Sequence, residues 1–233
     1  MTKWLLSCEH GGNEIPSEFD SAFLPYSDLL KSHRGFDIGV ADLFEVLKNS
    51  SLFDFTIINV YSRLLIDFNR SLSSKNLFSD ISRLFTSETK KKLIDQFYLP
   101  YRQEVSRVLN QWLKQGFKLV HISLHSFTPE LNGINRNCEA GILYDPKNSF
   151  EKEFSGLLKD KMKPLLPDWK VRFNYPYQGI DDGHTEFCRR NIENSQFQYI
   201  GVEVEVNQNL FARQVLWEKH FVEAFVTLKG ELK

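Results

Sequence analysis

No apolar run in this chain approaches the roughly 18 residues that a bilayer span requires. Excess charge of either sign is also missing, because 29 basic and 30 acidic side chains leave a formal net charge of -1. That balance removes the electrostatic case for nucleic acid or an anionic membrane as partner. Cysteine is sparse: Cys8, Cys138 and Cys188 lie too far apart for a zinc-finger spacing or a paired disulfide framework. A reducing cytoplasm is therefore the expected home. The opening "MTKWLLSCEH" turns polar too soon for a secretory signal. Repeats, linkers and low-complexity tracts are lacking as well. Phenylalanine is what abounds, with 20 residues. Without a basic field these read as a large aromatic core, not as stacking platforms for bases. A hydrophobic content of 42% over 233 residues suits one α/β domain spanning 1–233.

Periodicity supplies the elements. Residues 4–8 read as a short buried strand, and "FTIINVY" (55–61) as a second, rich in β-branched side chains. Phe36, Val40, Leu43, Phe44 and Leu47 make one apolar stripe, predicting a helix over 36–48. "RLLIDFNR" (63–70) fits a further strand or an extended active-site segment. Residues 88–115 are mostly helical, with Pro100 expected to break or kink the run and Gly116 to cap it. Strands follow at 117–127, 140–144, 169–177 and 199–208. Helices are expected at 149–163, closed by Pro164 and Pro167, and at 210–229, with a polar loop at 178–190 that has room for a short helix. Strands separated by helices argue for a mostly parallel or mixed sheet flanked by helices on both faces.

Chemistry-bearing residues gather where predicted strands end, which is where ligands bind in open α/β sheets. His10 and Glu14 follow the first strand. His125 falls at the exit of "HISLHSFTP", on the face of His121 and Ser123. Two histidines and one carboxylate are a common catalytic zinc set that leaves a position for water. His10, Glu14 and His125 form such a set, Gly11 and Gly12 permit the tight path it needs, and Glu9 is the competing carboxylate. "GVEVEV" puts Glu203 and Glu205 on one strand face, as a general base and its neighbour or as the wet face of an edge strand. "YSRLLIDFNR" supplies Arg63, Asn69 and Arg70, suited to gripping a carboxylate or polarising a carbonyl. Arg136, Arg189 and Arg190 are further candidates for that task.

Six segments run in one order: "CEHGGNEIP" (8–16), "GFDIG" (35–39), "SRLLIDFNR" (62–70), "HSFTP" (125–129), "GHTEFCRR" (183–190) and "GVEVEVNQ" (201–208). In this the chain resembles the N-formylglutamate amidohydrolase family. The resemblance implies a zinc carboxypeptidase-like fold, with Zn2+ on His10, Glu14 and His125. It implies Glu205 as the catalytic carboxylate and Arg63 as the arginine that steadies the oxyanion. Asn69 and Arg70 would hold the substrate's α-carboxylate, and Arg136 or Arg189 a side-chain carboxylate. The implied substrate is a small acidic N-acyl amino acid, N-formyl-L-glutamate giving formate and L-glutamate. One departure stands out: carboxypeptidases place two residues between the first histidine and glutamate, and this chain has three, Gly11 to Asn13.

Three rival readings keep some of these features. A deacylase or carboxypeptidase-like peptidase keeps the zinc and changes the substrate. A binding protein keeps only the fold. Zinc-free hydrolysis would use Cys8 or Ser126 as nucleophile beside a histidine.

Overall fold

The computed structural model describes residues 1–192, 199–212 and 217–232. The chain runs through β1 (Thr2–Cys8), β2 (Phe55–Ile58), β3 (Lys118–Phe127), the hairpin strands β4 (Glu130–Leu131) and β5 (Ile134–Asn135), then β6 (Ala140–Leu143), β7 (Val171–Phe173) and β8 (Tyr199–Asn207). Six strands form one sheet in the order β2-β1-β3-β8-β6-β7. Every pairing in it is parallel except β6 with β8, so the sheet is mixed. The helices are α1 (Asp20–Phe23), α2 (Ser27–Leu30), α3 (Val40–Asn49), α4 (Ser87–Leu93), α5 (Leu99–Lys114), α6 (Ser149–Leu165), α7 (His184–Asn191) and α8 (Trp217–Glu231). Among the described residues, no helix is long and apolar enough to cross a membrane.

Alternation along the central strands makes two unlike faces. Trp4, Leu6 and Cys8 of β1 share one face with Val120, Ile122 and Leu124 of β3 and with Val202, Val204 and Val206 of β8, and α3, α6 and α8 cover them. Each fully buried Leu or Phe there contributes about 1.5–3 kcal/mol, so this layer carries much of the stability. The other face carries Ser7, His121, Ser123, His125, Glu203 and Glu205, all buried. Buried polar groups persist only when they are hydrogen-bonded or ligated. That face therefore has to be a wired one.

Several expected elements shift. The helix expected over 36–48 begins at Val40, because Gly39 turns the chain left-handed at φ 79. Phe36 and Asp37 are thereby left in a loop. The segment 63–70 is a chain of turns, not a strand. Pro100 does not break its helical run. A π turn at Ile94–Tyr98 lies directly before it, and Pro100 falls at the start of α5, where the register of the helix changes. Pro164 is likewise held inside α6. Of the helix expected over 210–229, residues 213–216 lie outside the described ones. β8 is an interior strand between β3 and β6, so its two glutamates do not face water as an edge strand's would.

Candidate active site

Three loops meet at the carboxyl ends of β1 and β3. The turn after β1 carries His10 and presses against the exit of β2. A Cβ on Gly12 would lie 2.2 Å from the carbonyl oxygen of Val60, so only glycine allows that approach. The loop before α3 docks on this turn through the Asp37 N–H, which donates to the His10 carbonyl at 2.9 Å. The segment 62–70 closes the group, with the Ser62 hydroxyl and the Arg63 N–H both donating to the Gly35 carbonyl at 2.9 and 3.1 Å.

This convergence brings together His10, Asp37 and His125, all buried, with one ligand atom from each within 4.8 Å of the others. Asp37 Oδ2 lies 3.0 Å from His125 Nδ1 and 3.7 Å from His10 Nδ1. It also accepts the Ser126 N–H at 3.1 Å. Arg63 pairs with the other oxygen of Asp37. Burial alone would raise the Asp37 carboxyl, but Arg63 and the two histidines hold it well below the usual carboxylate range. An ionised carboxylate and two imidazoles, buried and convergent, suit a divalent transition metal such as zinc.

Glu14 is not in this set. Its side chain is exposed, and its backbone instead pairs with the segment at Val60–Ser62. The extra residue between His10 and position 14 carries the chain past the cluster. The carboxylate at the cluster comes from Asp37, a residue 27 positions beyond His10. Glu9 is not in the cluster either; it stands behind His125.

The cleft over the cluster is lined by Arg63, Asn69, Arg70 and Tyr177, with Glu203 and Glu205 at its floor. Strand register puts Glu205 directly beside His125 and Glu203 beside Ser123, one step deeper. Glu205 Oε2 is buried with no hydrogen-bond partner among the described residues. Burial, with Asp37 and Glu203 near and opposed by His125 and Arg63, pushes its carboxyl up to about 8. Opposite it on β6 stands Gly141, whose missing side chain leaves room for both Glu205 and the loop at Tyr175. Glu203 is engaged by the Thr185 hydroxyl at 2.8 Å.

Asn69 Oδ1 accepts the His184 N–H at 2.6 Å, which leaves its amide NH2 as the group to donate. Arg70 reaches the Asp182 carbonyl at 2.6 Å. Its own carbonyl is held by Tyr98 and by Arg102, at 2.6 and 2.7 Å. Arg136 stacks on Tyr177 and donates to its hydroxyl at 3.1 Å, so it adjoins the cleft through that ring.

Arg189 lies elsewhere. It bonds the buried Glu151 carboxylate at 2.8 Å, Glu186 at 2.8 Å and the carbonyls of Gly179 and Gly201. The substrate role expected for it gives way to a structural one, because these partners occupy its guanidinium. Arg189→Ala leaves Glu151 buried and short of its cation. The expected cost is about 3–5 kcal/mol, read by chemical denaturation, with kcat per folded molecule unchanged.

The nucleophile alternatives do not assemble. Cys8 points into the apolar face, and burial pushes its thiol up. The Ser126 hydroxyl donates to the Ile38 carbonyl at 2.9 Å, not to a histidine.

Sequence reasoning passed over Asp37, Asp67 and His184. The signal for the first two was available: each is an acid embedded in an apolar run, "GFDIG" and "LLIDF". An acid in such a place is buried, and a buried acid needs a partner. Asp67 finds His10, its Oδ1 lying 2.7 Å from Nε2.

Comparison with known proteins bears on this geometry. The family model described as N-formylglutamate amidohydrolase matches residues 2–212. The structure of a gene product from Agrobacterium tumefaciens is 25% identical with a TM-score of 0.78, covering 99% of this chain and 91% of that one. The structure of an N-formylglutamate amidohydrolase from Ralstonia eutropha JMP134 is 14% identical with a TM-score of 0.71, covering 98% and 92%. At that identity the second likeness concerns the fold. Among curated proteins none matches the chain.

Proposed function

The chain belongs to the N-formylglutamate amidohydrolase family, and from that premise we propose that it hydrolyses the amide bond of a small N-acyl amino acid, N-formyl-L-glutamate or a close analogue, with zinc as its metal. It is a metal-dependent amide hydrolase. One observation carries the finer reading: beside the buried set His10, Asp37 and His125 lies a buried carboxylate oxygen of Glu205 that no described residue hydrogen-bonds. The whole chain, 1–233, is taken as one such domain.

His10, Asp37 and His125 would hold the zinc. When bound, the metal supplies Lewis acidity, easing deprotonation of water and polarisation of a carbonyl. Glu205, in its ionised form, takes the proton from the attacking water. The same carboxyl then returns it to the departing nitrogen, so that formate and the free amino acid leave with atoms and charge balanced. Arg63 faces the carbonyl oxygen as it gains negative charge. Arg70 and the Asn69 NH2 hold the α-carboxylate, and Arg136, braced by Tyr177, meets a second carboxylate where the substrate has one.

A second reading, deacylation of an N-acyl amino acid without an acidic side chain, has one observation in its favour. Asp181 and Asp182 also line the cleft, and they repel a further carboxylate on their side.

Turnover of N-formyl-L-glutamate, N-acetyl-L-glutamate, a neutral N-formyl amino acid and a short peptide separates the two readings. Highest kcat/KM on N-formyl-L-glutamate, abolished by a chelator and restored by zinc, is expected. Turnover that survives chelation overturns the proposal. Arg70→Lys loses the two-pronged fit to a carboxylate. Hydrogen bonds to charged groups contribute about 1.5–3 kcal/mol, so kcat/KM should fall roughly 10–100-fold. Substrates with an amidated α-carboxyl should lose far less. Equal losses on both would assign Arg70 a structural role.

A further inference from the structure

Glu9 is fully buried, yet it belongs to neither the ligand set nor the cleft lining. A buried carboxylate outside the chemistry calls for an explanation, because isolating such a charge is costly. Its partners supply one. Oε1 accepts from the Tyr101 hydroxyl and from His184 Nδ1, each at 2.9 Å. Oε2 accepts from the Ser123 hydroxyl at 2.5 Å and faces His125 Nε2 at 3.2 Å.

The proton count along this chain of bonds is informative. A serine hydroxyl has one proton to give. Ser123 spends it on Glu9, so its oxygen can only accept from His125 Nε2, 3.0 Å away. Both neighbours of that nitrogen are therefore acceptors, and Nε2 must carry hydrogen. Nδ1, on the other edge of the ring, faces Asp37. His10 is held in the same sense, its Nε2 against Asp67 and its Nδ1 toward Asp37. Glu9 follows directly on β1 while His125 lies on β3, so the tie also spans the two strands whose ends form the site.

We propose that Glu9 is a positioning residue: with Ser123 it fixes His125 as the Nε2–H tautomer, so that Nδ1 is the nitrogen offered to the metal. This rests on the zinc reading above and deepens it. Tyr101 and His184 occupy Oε1, the oxygen turned away from His125, and His125 passes its orientation to the cluster. Outer carboxylates of this kind typically change metal affinity 10–100-fold when removed.

Zinc titration of metal-free protein against a competing chelator gives the first test. Glu9→Gln should bind zinc roughly 10–100-fold more weakly than wild type. Tyr101→Phe disturbs the same buried network without touching His125 and should shift zinc affinity by less than about threefold, less than 1 kcal/mol. Equal weakening in both variants overturns the proposal, because that is what a merely structural role gives. Unchanged affinity in Glu9→Gln overturns it too. A second readout needs no variant and stands even if Glu9→Gln fails to fold. Nitrogen-15 histidine spectra of zinc-loaded wild type should show His125 protonated at Nε2 and metallated at Nδ1. Coordination through Nε2 overturns the proposal while leaving the zinc reading intact. Wild type that takes up no zinc overturns both, and the wild-type titration alone reveals that case.

Discussion

Glu205→Gln is expected to lower kcat roughly 10²–10⁴-fold, the usual loss when a proton-transfer group is removed, with bound zinc unchanged. Glutamine keeps the size and hydrogen-bonding shape of the side chain but cannot accept the proton. Two glutamates line the cleft floor, and geometry ranks them. Glu205 stands in register with His125 and has a buried oxygen without a partner among the described residues. Glu203 is in register with Ser123, and Thr185 already donates to it. Glu203→Gln should therefore disturb the chemical step less. Measuring kcat and zinc content for both variants decides the matter. A normal Glu205→Gln beside a dead, zinc-loaded Glu203→Gln would exchange the roles. Loss of metal from Glu205→Gln would make that carboxylate a ligand.

Asp37→Asn is expected to abolish stoichiometric zinc, and most activity with it. The variant keeps the shape of the side chain and removes the negative charge that the two histidines share. It also deprives Arg63 of its counter-ion. The drop in zinc affinity should exceed the roughly 10–100-fold expected for an outer hydrogen-bonding partner. Glu14→Gln, by contrast, should keep full zinc and wild-type turnover, because that side chain is exposed and apart from the cluster. Elemental analysis of the two purified variants checks the pair. A metal-free Glu14→Gln with a loaded Asp37→Asn would restore the sequence-based ligand set.

The contrast between Asp37 and Glu14 shows where the sequence was legible. His10, His125 and Glu205 stand out in the sequence because each sits at or just past the end of a strand, and strand ends are readable from period-two alternation. "HISLHSF" and "GVEVEV" carry that alternation openly, and the structure puts His121, Ser123, His125, Glu203 and Glu205 on the buried polar face. The loops gave no such ruler. Glu14 is near His10 in sequence only, whereas the backbone bond from the Asp37 N–H to the His10 carbonyl brings Asp37 against it in the fold. Gly39 decides this by ending the loop and starting α3 later than the apolar stripe suggests. Arg189 was misplaced for a similar reason. Its partner Glu151 begins a distant helix, and nothing local announces a long-range ion pair. The mixed sheet was legible in outline, but the single antiparallel step between β6 and β8 leaves no mark on strand composition.

The central claim is a zinc ion held by His10, Asp37 and His125 with Glu205 beside it. Anomalous scattering at the zinc edge, from crystals of zinc-loaded protein, tests it most directly. The account predicts one strong peak per chain, within bonding distance of His10 Nδ1, His125 Nδ1 and Asp37 Oδ2, with Glu14 remote. No peak at this cluster, or one coordinated by Glu14, would contradict it.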